Sequence, residues 1–424
     1  MRHLDIDHQR QHGGMHSIVK ASDAQDFLAF VPRLVSFRPE RSLVLVAFRG
    51  NRTCGTLRLD LPQSGARAVH KRIANTLIGM VCKIRGADAV VPVIYTDESV
   101  ETRGTLPHDE LVRKLIDRAE LGGFAVRDAL CVAADGWGSY LDAELPEHGH
   151  PLSLIAESSV ADRLPPSALT ALSTPDDLAR LPTVNLAETE NVARAMKQLR
   201  RLLDFSVEVG DEEAATLPLS LAAALDELED EAGPLFDPVN LAEQALGWNP
   251  ETLDAVRAAV MIFVLQGPPN RDATMLQFAF GAGVGAAAER SNREHADIQR
   301  ATGKSMDDIV AAEIDSAQGQ HPDDRLIGEM MMGQTGERPN VDRVKRAIEL
   351  LKKLVALAPR SNRPAPLCML AWLSWSLGRG SVAGRFIDDA LTIDEHYGMA
   401  QLLATLLDTG MLPEWAFTIP EGGE

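Results

Sequence analysis

The pattern of apolar and polar positions changes near residue 160, and this change divides the chain into two predicted parts. Before it, apolar runs of strand length alternate with segments of helical periodicity. After it, apolar residues recur at helical spacing in one segment after another. The pattern therefore predicts an α/β domain with a mixed sheet at residues 17–160, followed by an all-α half.

The clearest strands lie between Phe30 and Pro62. Ser42 to Phe48 is a continuous apolar run typical of a buried strand, and Thr56 to Leu61 alternates apolar with polar residues. Gly50-Asn51 between them indicates a tight turn. We expect these two strands to form an antiparallel pair.

Further strand signals follow downstream. Ala89 to Tyr95 is an apolar run, but Pro92 within it lacks the N–H that a central strand donates, so we expect an edge strand or a bulge there. Asp135-Gly136 lies between two short apolar segments and predicts a β-hairpin. Helical periodicity at Ala66 to Arg85, and again after Pro107, completes the α/β pattern.

The all-α half is predicted as a helical domain at residues 165–335, helical hairpins at 340–412 and a tail at 413–424. Part of the weakly periodic, acidic segment 289–336 is expected to be a linker or loop. One internal repeat supports the hairpins. At an offset of 36 residues, Ala347, Leu351, Leu354 and Pro359 are matched by Ala383, Ile387, Ala390 and Glu395. Such spacing is typical of tetratricopeptide-like (TPR-like) hairpins, the alternative being a coincidence within an ordinary bundle.

Composition narrows the function classes. The 424 residues carry a formal net charge of -19, which argues against general binding of nucleic acids or anionic membranes. No apolar run approaches the roughly 20 residues of a membrane span. The four cysteines form no CxxC pair, so buried free thiols and a reducing compartment are expected. These features predict a cytoplasmic protein.

Histidines offer two weak candidates for metal binding. Residues 1–16 contain His3, His8, His12 and His16, but imidazoles on a polar segment without a carboxylate or thiolate framework favour a disordered tail instead. His148 and His150 flank Gly149 without an evident third ligand, so a solvated loop is the simpler interpretation. We predict no metal site from either.

Two glycine-containing stretches resemble nucleotide-binding motifs. Gly281 to Ala286 resembles a dinucleotide fingerprint, but the preceding residues favour helix and no strand follows, so a tight junction between helices is predicted. Gly303-Lys304-Ser305 lacks the first glycine of a phosphate loop, since Ile298 stands there. The chain also has no HExxH or GxSxG motif. We therefore predict no catalytic residues and no cofactor.

Two sets of residues remain as candidate sites. Asp60, Asp97 and Asp135 fall at or just after predicted strand ends, where α/β proteins often place functional groups, although acids also favour such turns for structural reasons. Trp372, Trp375 and Tyr397 in the helical tail are candidates for an aromatic protein-interaction surface. Core packing is the alternative for the two tryptophans.

Both ends of the chain resemble a known family. The matching residues are Pro32, Leu34, Phe37, Pro39, Ser42 to Val46 and Arg58 to Pro62 at the front, and Leu370 to Trp372, Trp375, Gly378, Ala390-Leu391, Tyr397, Ala400, Leu402-Leu403, Gly410 and Trp415 at the back. They resemble the mainly actinobacterial domain-of-unknown-function family 4192. The resemblance implies no activity. It implies cysteines in the segment Ser139 to Gly149, where this chain has none, so no redox or zinc role is expected there.

The leading hypothesis is a cytoplasmic, non-enzymatic interaction or regulatory protein that binds protein partners, because a helical repeat accompanies the lack of a catalytic constellation. The alternative is an enzyme or small-ligand-binding protein with its site at the strand ends near Asp60, Asp97 and Asp135. Two of these acids converging in a pocket would favour the alternative. Nucleic-acid binding ranks third.

Overall fold

The computed structural model describes residues 4–8, 17–21, 23–35, 38–63, 65–100, 105–158, 174–208, 237–314 and 322–417. The chain divides into two compact units. The first comprises residues 1–178 with 417–424, and the second comprises residues 179–416. None of the described helices is both long enough and apolar enough to cross a membrane.

The first unit contains a mixed sheet, as predicted. Its described strands are β1 (Leu4–His8), β2 (Ser17–Ala21), β3 (Ser42–Arg49), β4 (Arg52–Asp60), β5 (Ala89–Tyr95), β6 (Ala125–Val126), β7 (Leu130–Val132) and β8 (Trp137–Ser139). Their spatial order is β2-β1-β4-β3-β5-β7-β8, and β6 also pairs with β5. β5 runs parallel to β6 and β7, whereas β3 is antiparallel to both of its neighbours.

β3 is a central strand, with β4 on one side and β5 on the other. Its residues from Ser42 to Phe48 are buried, so the buried strand and its hairpin with β4 are confirmed. Since successive side chains alternate between faces, Val44, Val46 and Phe48 enter one core cluster with Phe27 and Phe30. Both faces of β3 must therefore be covered.

The position of β5 corrects the expectation drawn from Pro92. This strand is internal, since it pairs with β3 on one side and with β6 and β7 on the other. Pairing with β6 ends at Val90 and pairing with β7 resumes at Val93. Arg127 N–H, just after β6, donates to Val90 O, so the backbone N–H and C=O of Val90 point toward the β6 side of β5. Every second residue of a strand points its backbone groups to the same side, so Pro92 is directed to that side as well. Pro92 therefore faces the interruption between β6 and β7, where no N–H is required.

Helices cover the two faces of the sheet. They are α1 (Ala24–Leu34), α2 (Arg67–Lys83), α3 (Asp109–Leu121) and α4 (Ser153–Ala156). A further short helix, α5 (Pro175–Ala179), spans the point in the chain where the two units divide. α1 packs on the face that carries Val44 and Val46. α2 and α3 pack against each other, and α3 contacts β5 and β6.

The strand β1 lies within residues 1–16, for which composition predicted a disordered tail. It pairs antiparallel with β2 from Leu4↔Ala21 to His8↔Ser17. This ladder supplies backbone hydrogen bonds that the composition of the segment does not reveal.

The second unit is helical in its described residues. Its helices are α6 (Leu186–Glu208), α7 (Pro238–Ala245), α8 (Ala255–Val264), α9 (Pro268–Phe280), α10 (Ala282–Thr302), α11 (Met306–Ile314), α12 (Pro322–Met331), α13 (Val341–Leu357), α14 (Pro364–Ser376), α15 (Gly380–Ile393) and α16 (Gly398–Asp408). Three of them, α10 to α12, occupy much of the segment in which a linker or loop was expected.

α14 is the central helix of this unit. All of its residues are buried, and it packs against α9, α13, α15 and α16. A helix that is apolar all round requires such enclosure. The helices predicted between 340 and 412 are present and pack in chain order, while their TPR-like arrangement stays a prediction.

The glycine-rich stretch from Gly281 is a junction between helices, not a nucleotide loop. Gly281 has φ of 100° and ψ of 173°, a conformation open essentially to glycine alone. It ends α9 and directly precedes α10. The tight junction predicted for this stretch is confirmed.

Candidate functional site

Several strand ends meet at one edge of the sheet in the first unit. Ser42, the first residue of β3, pairs with Asp60 on one side and with Tyr95 on the other. Tyr95 in turn pairs with Val132, the last residue of β7. The carboxyl ends of β4, β5 and β7 therefore lie beside the start of β3, and Asp97 and Asp135 follow two of these ends.

The three candidate acids at this edge have different partners. Asp60 Oδ1 lies 2.6 Å from Arg58 Nη2, and Asp97 Oδ2 lies 4.0 Å from Arg41 Nε. Asp135 Oδ1 accepts a hydrogen bond of 2.9 Å from Val100 N–H. The three carboxylates thus contact three different groups, and these contacts do not bring two of the acids together. Among the described residues, no group of three or more histidine, cysteine, aspartate or glutamate side chains is arranged to hold a metal ion.

A histidine completes the edge between β5 and α3. The Nε2 atom of His108 lies 3.3 Å from Thr96 Oγ1 and 3.5 Å from Glu98 Oε1. Its side chain is largely buried, at 18% exposed, whereas that of Glu98 is 65% exposed. The imidazole therefore reaches the carboxyl end of β5 from the residue that directly precedes α3, and it leaves the Glu98 carboxylate open to solvent.

The segment that carries Thr96 and Glu98 is fixed to the hairpin between β7 and β8. Thr96 N–H donates to Val132 O, and Ala134 N–H donates to Glu98 O, each at 3.0 Å. Asp135 adds its hydrogen bond to Val100. Asp135 thus positions this segment by accepting a backbone N–H. Its place after a strand end is compatible both with this structural role and with contact to a ligand, so the sequence alone could not separate the two.

Two strained residues flank the segment. Arg41 has φ of 42° and His108 has φ of 62°, and they are the non-glycine residues with positive φ in the described chain. Arg41 faces Asp97, and His108 contacts the next residue, Glu98. Left-handed backbone at non-glycine residues costs about 1–3 kcal/mol and is concentrated at functional sites. Their convergence on consecutive acids makes this edge the candidate functional site.

A buried tyrosine supports the position of His108. The hydroxyl of Tyr140 donates to the backbone oxygen of Pro107, the residue before His108. Burial, together with the neighbouring Cys131, raises the pKa of Tyr140 well above its ordinary value. Burial also raises the pKa of the Cys131 thiol to about 12. Since the thiolate is the reactive form, Cys131 is a packing residue here and not a nucleophile.

The arrangement suits binding better than nucleophilic catalysis. In a hydroxyl–imidazole–carboxylate relay, the hydroxyl and the carboxylate contact opposite ring nitrogens. Here Thr96 and Glu98 approach the same nitrogen of His108. The imidazole therefore cannot take the Thr96 proton while Glu98 orients its other side. It can donate or accept a hydrogen bond toward a ligand.

Sequence reasoning found the acids at this edge but missed His108, Arg41, Thr96 and Glu98. The defining feature of Arg41 and His108 is a positive φ. Arginine gives no signal for it, and histidine is enriched at such positions but still rarely adopts them. Pro107-His108-Asp109 resembles an ordinary helix start. The position of Thr96 directly after β5 is the one available pointer.

The aromatic surface predicted in the helical tail requires a correction. Trp372 and Trp375 are 0% and 1% exposed, so they cannot form a recognition surface. Their indole N–H groups donate to Met331 O at 2.8 Å and Met411 O at 2.9 Å. Their rings pack with each other, and Trp415 lies against Trp375. A tryptophan whose N–H finds an internal acceptor packs well in a core. The three-residue spacing of the pair is the same for core packing and for a recognition surface, so the sequence could not separate these roles.

Tyr397 also has an internal partner. Its hydroxyl accepts a hydrogen bond of 2.9 Å from Arg271 Nη1, and Arg271 is further held by Asp272. Tyr397 is half-buried. It therefore links the start of α16 to α9 within the second unit, and the hydroxyl is already engaged.

The remaining histidine candidate is structural. Trp137 and His150 exchange backbone hydrogen bonds of 2.9 and 2.7 Å, and their rings lie 4.7 Å apart. This contact covers the edge of β8, which protects an exposed strand from further pairing. The side chains of the tail histidines His3, His8, His12 and His16 lie outside the part of the chain whose side chains are described.

A Ser–His–Asp group in the helical unit also lacks the order that catalysis requires. Ser291 on α10 donates to Asp324 on α12, and His295 Nε2 lies 3.9 Å from the other oxygen of Asp324. The carboxylate stands between the hydroxyl and the imidazole, so the imidazole cannot activate the hydroxyl. This group joins the two helices.

Comparison with known proteins gives a family without an activity. The family model described as "Domain of unknown function (DUF4192)" matches residues 25–293 and 338–414. No curated protein and no solved structure matches the chain. The matched residues include the candidate site at the strand ends and most of the helical unit, and together they exceed half of the chain. The chain therefore belongs to the DUF4192 family.

Proposed function

We propose that the first unit binds a small polar ligand at the carboxyl ends of β5 and β7, and that the protein acts by binding and not by catalysis. The observation that carries this proposal is that Arg41 and His108, both with positive φ, contact the consecutive acids Asp97 and Glu98. Ligands of α/β proteins commonly bind beyond the carboxyl ends of strands.

The ligand class follows from the side chains at this edge. Arg41 offers N–H donors, the exposed carboxylates of Asp97 and Glu98 offer acceptors, and His108 can provide either. A small molecule that carries both an acidic and a basic or hydroxyl group matches this set. The long contact of 4.0 Å between Arg41 and Asp97 leaves both groups available to such a molecule.

The test uses glycine to separate binding from folding. Native mass spectrometry of the full chain, purified gently from its own cells, is expected to detect a stoichiometric small ligand. Arg41→Gly and His108→Gly remove the side chain and also relieve the positive φ. We expect both variants to lose the ligand while the apo proteins melt no lower than the wild type.

The matched control is Arg38→Gly, since Arg38 is exposed and has no positive φ. This variant is expected to keep the ligand and to melt slightly lower because glycine adds freedom to the unfolded chain. Absence of any small ligand from the wild type, or its retention by both Arg41→Gly and His108→Gly, contradicts the proposal.

A second candidate is binding of a protein partner by TPR-like hairpins at the end of the helical unit. It is supported by the sequential packing of α13 to α16 and by Leu402 on α16, whose side chain is 69% exposed. Co-purification of a partner that is lost in Leu402→Asp would favour this role. The matched control is Leu121→Asp on α3, where the leucine is 79% exposed, and it should retain that partner.

The proposed location is the cytoplasm. Its support is that all four cysteines, Cys54, Cys82, Cys131 and Cys368, are free thiols, which suits a reducing compartment. The net charge of -19 supports small-molecule or protein partners over nucleic acid. Fractionation of the native cells, followed by a thiol count on the isolated protein, tests this location.

A further inference from the structure

Two methionines of the second unit stand apart from the others in exposure. Met332 is 44% exposed and Met411 is 40% exposed. In contrast, Met261, Met275 and Met369 are at most 1% exposed. Among the methionines whose burial is described, these two residues have the largest exposed fractions.

Both exposed methionines lie on backbone that is tied to the tryptophan cluster formed by Trp372, Trp375 and Trp415. Met411 O accepts the indole N–H of Trp375 at 2.9 Å. Met332 follows directly on Met331, whose oxygen accepts the indole N–H of Trp372 at 2.8 Å. The two exposed side chains thus flank acceptors for two of the three buried indoles.

The two methionine segments also meet each other. Glu414 N–H donates to Gly333 O at 2.7 Å. Gly333 has φ of 68°, and a Cβ there would lie 2.6 Å from the Trp375 ring and 2.8 Å from Pro413 Cβ. Backbone following Met332 is therefore packed directly on Trp375 and on the segment that follows Met411, with no room for an added methyl group.

We propose that Met332 and Met411 are a paired oxidation site that controls how tightly these segments close over the tryptophan cluster. A peroxide transfers one oxygen atom to the thioether sulfur, which is oxidised to the sulfoxide, and the peroxide is reduced to water or to an alcohol. Accessibility governs such oxidation of methionine, and reductases specific for methionine sulfoxide reverse it.

The effect on the structure follows from the partial burial of both side chains. More than half of the surface of each residue is withdrawn from solvent. A sulfoxide makes this apolar, flexible side chain polar and disrupts its packing. The backbone oxygens of Met331 and Met411 then move relative to Trp372 and Trp375, which weakens the indole hydrogen bonds.

The experiment treats the full chain with hydrogen peroxide in a Cys82→Ser background, because Cys82 is an exposed thiol that also oxidises. Peptide mapping is expected to find the sulfoxide at Met332 and Met411 an order of magnitude sooner than at Met275 or Met369. Tryptophan emission should shift to the red and the melting temperature should fall. Methionine sulfoxide reductases with a thiol reductant should restore both.

The double variant Met332→Leu/Met411→Leu should fold normally and lose the response, since leucine keeps the apolar volume without a sulfur. The matched control Met399→Leu, which replaces a half-buried methionine on α16, should respond like the parent protein. The proposal is overturned if the double variant shifts like the parent. It is equally overturned if sulfoxide forms at both positions without a change in emission or melting temperature.

Discussion

Arg343 on α13 donates two hydrogen bonds to Glu243 on α7, of 3.0 Å from Nη1 to Oε2 and of 2.5 Å from Nη2 to Oε1. The same guanidinium donates to Gln277 O on α9 at 3.0 Å, and the Gln277 amide donates to Glu243 at 2.8 Å. Three helices that are far apart in sequence therefore share one polar network at the edge of the helical core.

Arg343→Ala is expected to destabilise the second unit. The side chains of Arg343 and Glu243 are 18% and 33% exposed, so loss of the arginine leaves a partly buried carboxylate without its bidentate partner. We expect a cost of about 2 kcal/mol, between the values for exposed and fully buried pairs. Chemical denaturation measures it. Arg360→Ala, at an exposed position just after α13, is the control and should change the free energy of unfolding little. Equal losses for both variants would contradict the network.

The same contact predicts a pH dependence. Hydrogen bonds from Arg343 hold the pKa of Glu243 below its ordinary 4.5, against the opposing effect of burial. Because the folded pKa is depressed, the stabilisation is present above pH 4.5 and is lost as the pH falls through the folded pKa. Glu243→Gln should therefore be less stable than the wild type at neutral pH, and the difference should shrink in acid. A constant difference across urea titrations from neutral pH to below 4.5 would count against this assignment.

The cysteines should differ sharply in reactivity. Burial raises the pKa of both Cys131 and Cys368 to about 12, whereas Cys82 is exposed on α2. With iodoacetamide at neutral pH, Cys82 should be labelled first, and Cys131 and Cys368 should react only after unfolding. Intact-mass analysis counts the labels, and Cys82→Ser should remove the fastest one. Labelling of Cys131 in the folded protein would show that its strand opens locally.

Much of the fold follows from local pattern. The apolar run at Ser42 to Phe48 became a central buried strand, and Gly50-Asn51 and Asp135-Gly136 became turns between paired strands. One misjudged feature was Pro92, whose strand is internal. Its missing N–H faces the break between β6 and β7, a tertiary arrangement that a rule based on residue type cannot anticipate.

The candidate site was predictable only in part. The sequence correctly predicted that Asp60, Asp97 and Asp135 lie at or just after strand ends, because the apolar pattern shows where the strands end. The pairing of His108 with Thr96 and Glu98 depends on a positive φ and on the contact of Tyr140 with Pro107 across the unit. Neither can be inferred from spacing. Likewise, the spacing of Trp372 and Trp375 specifies a helix face but not whether that face is covered.

Three nearby glycines give a matched test of backbone strain against crowding. Gly281 has φ of 100° and open space where a Cβ would be added, and Gly283 is helical with open space around it. At Gly285 an added Cβ would overlap Gln277 Oε1. Because alanine is strained at this φ, Gly281→Ala should lower the free energy of unfolding by about 1–3 kcal/mol. Gly283→Ala should stabilise by about 0.5–1 kcal/mol through helix propensity.

Gly285→Ala should be destabilising for a different reason, because Gln277 is 1% exposed and held by Val239 O and Glu243, so it cannot move aside freely. Overpacking of this kind costs about 1–3 kcal/mol. Adding Gln277→Ala should rescue Gly285→Ala but not Gly281→Ala, since only the former loss arises from contact with the amide. Denaturant titration of the three single and two double variants measures these changes in the free energy of unfolding. Equal rescue of Gly281→Ala and Gly285→Ala by Gln277→Ala would show that crowding, and not positive φ, causes the loss at both positions.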